Sequence, residues 1–166
     1  MCDATQSSCL WEQWLEESAD RFLLFARQQT RCEADAEDVL QDALVETWNR
    51  NGGDIPPPAM VFATIRRRAI DRARQAGARE RRERSDQRLD ELWEFPEVEH
   101  RSDREVLLAA LRDLPQDQQD VVFLRIWGEL GFREISESLG APLPTVSSRF
   151  QAALKRLKSS LCELWT

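Results

Sequence analysis

The sequence predicts an all-α protein: two small helical domains joined by a flexible linker, the second carrying a helix-turn-helix. Three observations predict it. Apolar residues recur at helical spacing through most of the chain. No stretch alternates apolar and polar residues as a half-buried strand does, and no internal repeat stands out. An acidic segment at 85–103, broken by Pro96, separates the two helical stretches. The expected boundaries are 1–84, 85–103 and 104–166.

The elements follow in order. Leu10 to about Gln29 carries Leu10, Trp11, Trp14, Leu15, Phe22, Leu23, Phe25 and Ala26 as an amphipathic face. A second helix runs from Glu33 to about Asn49, with Val39, Leu40, Ala43, Leu44, Val45 and Trp48 as its stripe. Glu33, Asp35, Glu37 and Asp38 in its first turns suit a helix N-terminus. Asn51-Gly52-Gly53-Asp54 ends it, and Pro56-Pro57-Pro58 holds the next stretch extended. A third helix is expected from about Ala59 to at least Arg79, lined by Met60, Phe62, Ala63, Ile65, Ala69, Ile70 and Ala73. In the linker, Leu89, Leu92, Trp93 and Phe95 can pack locally. Ser102 with Glu105 three residues on has the spacing of a capping box. The helix behind it carries Val106, Leu107, Leu108, Ala110, Leu111 and Leu114, and Pro115 closes it. Another begins near Pro115 and holds Val121, Val122, Leu124, Ile126 and Trp127. A short helix at about Phe132–Leu139 and a last one at about Pro144–Leu164 complete the chain.

Composition narrows the function. The chain has 166 residues, 42% hydrophobic and 32% charged, the profile of a soluble globular protein. No run of 18 apolar residues offers a membrane span. The start, MCDATQSSCLWEQWLEESAD, lacks the basic and apolar regions of a secretory signal, so the cytoplasm is the expected compartment. Cys2, Cys9, Cys32 and Cys162 form no C-x-x-C pair, and His100 is the single histidine, too few clustered ligands for zinc. They read as reduced thiols. No cofactor is expected. One histidine and dispersed thiols also supply no nucleophile–base set, so an enzyme is not expected.

The net charge of −7 hides a strong pattern. Residues 1–60 carry a net −8, residues 61–84 a net +6, and residues 85–105 a net −5. Within 142–160 there are four basic residues and no acid. Two basic islands in an acidic frame mark partner surfaces of opposite sign.

Three constellations stand out. At 132–157, Ile135, small Ser136, Gly140 and Val146 have helix-turn-helix spacing. Ser136 leaves room for the helices to cross, and Gly140 supplies a positive φ at the turn. Ile135, Leu139, Val146, Phe150 and Leu154 are the expected core. Thr145, Ser147, Ser148 and Arg149 open the second helix, the place from which base edges are reached; Lys155, Arg156 and Lys158 follow for phosphates. A plain helical hairpin with a solvated basic face is the bland alternative. The second constellation is Arg66, Arg67, Arg68, Arg72 and Arg74, continuing to Arg79, Arg81, Arg82 and Arg84. Arginine favours bidentate phosphate and base contacts. Three consecutive arginines cannot share one helix face, so at least one turns inward or snorkels. Asp71 is placed to pair with Arg67 or Arg74. The third is Asp35, Glu37, Asp38, Gln41 and Asp42, of which Asp35, Asp38 and Asp42 share a face. It reads as a solvated first turn or as a docking face for a basic partner; a catalytic carboxylate pair lacks its histidine and its metal ligands.

Taken together, Asp35-Ala36-Glu37-Asp38-Val39-Leu40-Gln41-Asp42-Ala43-Leu44, Ala69-Ile70-Asp71-Arg72-Ala73-Arg74, and Leu111-Arg112-Asp113-Leu114-Pro115 with the 132–157 motif resemble a bacterial RNA polymerase sigma factor of the extracytoplasmic-function class. The resemblance covers roughly 10–84 and 104–162. It implies that Asp35, Asp38, Gln41 and Asp42 dock on the β′ clamp helices of core RNA polymerase, with the β subunit as a further contact. It implies that the loop Asn49–Pro58 and the helix carrying Arg66, Arg67, Arg68, Arg72 and Arg74 melt the promoter and read its downstream (minus-ten) element as single strand. The helix with Thr145, Ser147, Ser148, Arg149 and Lys155 corresponds to the reader of the upstream (minus-thirty-five) element. The linker would thread toward the polymerase active-site and RNA-exit channels. An anti-sigma protein that buries these surfaces is the partner the class commonly has. The chain departs from the family pattern at Met60, where tryptophan is usual, at Arg67, where asparagine is frequent, and at Ser147, where lysine is frequent. Single-base preferences therefore do not carry over, and phosphate anchoring at 147 is weaker. The charge pattern further predicts that the isolated chain binds promoter DNA poorly at physiological salt.

Two other readings bear on the same residues. A free-standing helix-turn-helix regulator would bind duplex operator DNA as a dimer, without polymerase. An α-helical adaptor or decoy would bind polymerase and direct no transcription.

Overall fold

Every element among the described residues is a helix: α1 (Ala4–Gln29), α2 (Glu33–Arg50), α3 (Pro58–Gln75), α4 (Arg101–Arg112), α5 (Gln116–Ile126), α6 (Phe132–Leu139) and α7 (Leu143–Leu164). The computed structural model describes residues 4–76 and 101–164, with side chains over 10–76 and 105–162. The chain divides into two compact units, Met1–Arg84 and Ser85–Thr166. Cys2, His100, Arg79, Arg81, Arg82, Arg84 and most of the acidic segment lie outside the described residues, and Cys9 lies in the part of α1 where only the backbone is described.

In the first unit, α1, α2 and α3 pack mutually around Phe22, Phe25, Val39, Val61, Phe62 and Ile65, all fully buried or nearly so. Phe62 is the hub. Its ring meets Phe22 at 5.0 Å and Phe25 at 5.3 Å, both edge-on. Such geometry adds about 0.5–1.5 kcal/mol per pair to the burial itself. The small residues Ala26, Ala36, Ala43 and Ala69 let the helices approach. Buried Thr47 and Thr64 donate their hydroxyls to Ala43 O at 2.7 Å and Met60 O at 2.8 Å, so neither orphans a polar group.

α2 starts where its acidic first turn predicts, but its cap is a thiol: Cys32 Sγ accepts the Asp35 N–H at 3.4 Å. Its inner face is Ala36, Val39, Ala43 and Thr47, while Val45, expected inside, is 62% exposed. The apolar stripe read from the sequence spans more arc than two neighbouring helices can cover. α3 begins behind Pro57 with Pro58 in its first turn, where the missing N–H costs nothing. It ends at Gln75, short of the expected Arg79: Ala76 closes it by donating its N–H to Arg72 O.

In the second unit, Arg101 and Ser102 are already helical, so Ser102 is not the cap that its spacing with Glu105 predicts. Buried Gln119 donates from Nε2 to Leu114 O at 2.8 Å and Arg112 O at 3.2 Å, which satisfies carbonyls left open at the end of α4. α5 buries Val121, Val122, Phe123 and Leu124 in succession, the mark of a helix enclosed by neighbours. A tight turn follows, in which a Cβ on Gly128 would sit 2.6 Å from Leu124 O. Between α6 and α7, Gly140 takes φ 62° and ψ 31°, as the turn requires. Ser136 seals that turn by donating its hydroxyl to Ala141 O at 2.6 Å. Phe132 on α6 meets Phe150 on α7 edge-on at 5.4 Å. Ile135 and Val146 are fully buried as expected, but Leu154 is 44% exposed. Ala153 and Leu157, one residue before and three after, face inward instead.

Candidate polymerase-docking and nucleic-acid interfaces

The first candidate surface is the seam between α2 and α3. α2 places Asp35, Asp38 and Asp42 on one face, with Gln41 beside them. Gln41 and Asp42 are exposed, and the Asp38 side chain is 57% exposed. α3 runs alongside and returns its arginines to this helix. Arg72 Nε lies 2.9 Å from Asp35 Oδ1, and Arg72 Nη2 lies 3.0 Å from Asp38 Oδ2. Burial alone would lower the Arg72 pKa, but hydrogen bonds and charge from Asp38 and Asp35 raise it above the ordinary value.

One turn and more along α2, Glu46 takes two further arginines. Arg68 bonds Oε2 through Nε at 2.9 Å and Nη2 at 2.8 Å, while Arg67 Nη2 bonds Oε1. Arg50 Nη1 stands 3.7 Å from the same Oε1. Burial pushes the Glu46 carboxyl up, yet the guanidiniums of Arg68 and Arg67 outweigh it and hold the group below the usual carboxylate range. A shallow groove beside this cluster is lined by Asp42, Val45, Glu46, Asn49, Arg50 and Arg68. Arg66 is half-buried, and Arg74 is 72% exposed, 3.7 Å from Asp71. Of the two partners expected for Asp71, the structure pairs it with Arg74.

The loop between α2 and α3 is held from within. Gly52 and Gly53 adopt φ of 68° and 86°. Asn51 donates from Nδ2 to Asp54 O at 3.1 Å and Ile55 O at 3.0 Å. Trp48 packs beneath, edge-on to Trp11 at 4.5 Å.

The second candidate surface is the start of α7. Thr145 and Ser147 are half-buried, while Ser148 and Lys155 are exposed. Ser148 donates its hydroxyl to Thr145 O at 3.0 Å. Arg149 does not stand alone: its Nη2 is 2.7 Å from Asp117 Oδ2, in the first turn of α5.

Sequence reasoning named the arginines and the acidic face. It missed Glu46 and Asp117, which hold three of those arginines. Neither carries a local signal, since Glu46 lies 22 residues from Arg68 and Asp117 lies 32 from Arg149. No group of three metal-ligating side chains occurs among the described residues.

A helix-turn-helix unit with a basic second helix, in one chain with a unit that zips an acidic helix to an arginine-bearing one, defines a transcription protein that works on DNA. Comparison with known proteins makes this specific. The family models of Sigma-70 region 2 and Sigma-70, region 4 match residues 15–79 and 104–157. An RNA polymerase sigma-E factor of Streptomyces avermitilis is 32% identical over 152 residues, covering 91% of this chain and 84% of that protein. The ECF RNA polymerase sigma factor SigL of Mycobacterium tuberculosis is 29% identical over 166 residues, covering 97% of this chain and 94% of its own. The chain belongs to the RNA polymerase sigma factors of the sigma-70 family, in the extracytoplasmic-function group. Among solved structures, the fold resembles the sigma factor RpoE in complex with the anti-sigma factor NepR from Bartonella quintana, with TM-score 0.68 and 21% identity over 90% of this chain and 95% of that one. It also resembles CnrH in complex with the cytosolic domain of CnrY, with TM-score 0.61 and 20% identity over 96% and 92%.

Proposed function

We propose that this sigma factor, which directs promoter-specific transcription initiation, divides the task between its two units. The exposed face of α2, with Asp35, Asp38, Gln41 and Asp42, docks core RNA polymerase on the β′ clamp helices, and the β subunit adds contacts. The loop 49–58 and α3, through Arg66, Arg67, Arg68, Arg72 and Arg74, melt and read the downstream promoter element. α7 reads the upstream element in duplex form through Thr145, Ser147, Ser148 and Arg149, with Lys155 on phosphate. Residues 1–84 form the docking and melting domain, 85–103 the linker, and 104–166 the upstream-element domain. The action is by binding rather than by catalysis, and it takes place in the cytoplasm.

The observation that carries this division is the α2 face. Asp38, Gln41 and Asp42 stay exposed there although the helix is packed on its other side, with half-buried Asp35 on the same face, and the three carboxylates attract a basic partner. Of the two solved relatives, RpoE is bound by the anti-sigma factor NepR and CnrH by the cytosolic domain of CnrY. We infer a protein regulator of that kind for this chain. No helix among the described residues is long and apolar enough to cross a membrane.

The test is capture of purified core polymerase, followed by run-off transcription on genomic fragments. Promoter-specific transcripts from the reconstituted enzyme are expected. Asp38→Arg is expected to cut capture at least tenfold. Tight promoter binding by the chain alone, with no capture of polymerase, would overturn the proposal.

A further inference from the structure

We propose that Glu46 is a positioning residue: its carboxylate holds the guanidiniums of Arg67 and Arg68 as an ordered pair on the part of α3 that meets promoter DNA. This rests on the reading of α3 as a DNA-contacting helix.

The geometry supports more than a strut. Adjacent residues on a helix point about 100° apart, so Arg67 and Arg68 diverge unless something draws them together. Glu46 does so with one oxygen for each: Oε1 for Arg67, Oε2 for Arg68. The carboxylate is recessed, with 19% of its side chain exposed, while the Arg67 and Arg68 side chains are 50% and 40% exposed. The anion thus sits below and the cations stand above it. Arg68 spends its Nε–Nη2 edge on Glu46. A guanidinium has five N–H donors, so Nη1 is left to serve a second acceptor.

Charge makes the same point. Glu46 has three arginines within 4 Å: Arg50, Arg67 and Arg68. One carboxylate among three guanidiniums leaves a net local charge of +2. An exposed arginine otherwise loses much of its rotamer freedom when it grips a phosphate. Ordering it in advance removes part of that loss from binding.

The experiment uses holoenzyme, made from core polymerase and the full chain, on promoter DNA and on a fork probe with a single-stranded downstream element. Glu46→Gln keeps the shape and one acceptor but removes the charge. Expected are unchanged core binding, an affinity for both probes about tenfold weaker, and a salt slope shallower by roughly 0.7–0.9 for each phosphate no longer neutralised. Tighter DNA binding with a steeper slope would show that Glu46 masks the arginines, and would overturn the proposal. Loss of core binding in step with loss of thermal stability would show a purely structural role, and would also overturn it. The double variant Arg67→Ala, Arg68→Ala separates the layers. If it weakens DNA binding while Glu46→Gln does not, the positioning role fails alone. If it changes nothing, the reading of α3 fails and the positioning role falls with it.

Discussion

Two glycines of the second unit are needed for opposite reasons, and substitution can tell them apart. Gly140 sits at φ 62° with nothing within 4 Å of the place a Cβ would occupy. Its alanine variant therefore meets no neighbour and suffers only the left-handed backbone, about 1–2 kcal/mol. The stiffer unfolded chain returns roughly 0.4–1 kcal/mol. The net loss is about 1 kcal/mol, or roughly fivefold in the folded-to-open ratio. Asparagine tolerates this backbone region, so Gly140→Asn is expected to lose less than Gly140→Ala. Gly128 has no positive φ, but a Cβ there would lie 2.6 Å from Leu124 O and 3.0 Å from Leu124 Cα. Leu124 O also accepts the Leu130 N–H at 3.0 Å, so a retreat of that carbonyl strains a second bond. Overpacking of this kind costs about 2–3 kcal/mol, and asparagine gives no relief. Hydrogen exchange on the full chain reads the second unit by itself, through the amides of Ile135 and Val146, bonded to Gly131 O and Pro142 O. The expected order of lost protection is Gly140→Asn, then Gly140→Ala, then Gly128→Ala. Equal losses for the two variants at 140 would refute the backbone argument. A Gly128→Ala variant milder than Gly140→Ala would refute the steric one.

Other outcomes follow from the same structure. Phe62→Ala removes the hub of the first unit, so a loss of about 3–5 kcal/mol is expected in urea unfolding. Glu46 titrates below its ordinary value of 4.5 in the folded chain. Its contribution is thus complete above pH 4.5 and is lost as pH falls through the lowered value. The stability gap between wild type and Glu46→Gln should be widest near neutrality and close in acid, and a gap independent of pH would contradict this. Arg149→Ala is expected to weaken use of the upstream element by roughly 1–3 kcal/mol in transcription titrations if the residue reads a base. Wild-type transcription from that variant would show that the recognition helix is wrongly aligned.

Local chemistry made much of the fold legible. Gly140 announces a left-handed turn and the acids after Cys32 a helix start, because each acts within a few residues, whereas Pro58, expected in the extended stretch, opens α3 instead. Where the reading went wrong, the deciding neighbour was distant. Val45 and Leu154 belong to apolar stripes wider than the surface available to cover them, and only the placement of neighbouring helices says which edge stays wet. α3 stops at Gln75, closed by Ala76, although its arginine-rich continuation favours helix. The thiol cap of α2 was invisible because sulfur is a weak acceptor and is seldom read as one. The candidate site was legible as residue types but not as pairs. That arginines would gather at 66–74 is plain from the sequence; that Asp35, Asp38 and Glu46 would meet them depends on α2 and α3 lying side by side.

That pairing changes what the charge count means. Read along the chain, residues 1–60 carry −8 and residues 61–84 carry +6, as though two fields stood apart. The fold brings part of the two together, since Arg67, Arg68 and Arg72 all touch carboxylates of α2. The two pairs of Arg72, partly open to water, are worth only about 0–1 kcal/mol each. They are therefore easily exchanged, and exchange is what matters. A phosphate that takes Arg72 from Asp35 and Asp38 leaves two carboxylates facing the DNA backbone, so the free chain gains little from the trade. Whatever basic surface covers Asp35 and Asp38 must displace the same guanidinium, and it then shields the carboxylates that opposed the phosphate. α7 differs, because no acid lies within 142–160 and its Arg149 borrows Asp117 from another helix. The salt slope of the isolated chain on DNA should accordingly count fewer phosphates than α3 has arginines.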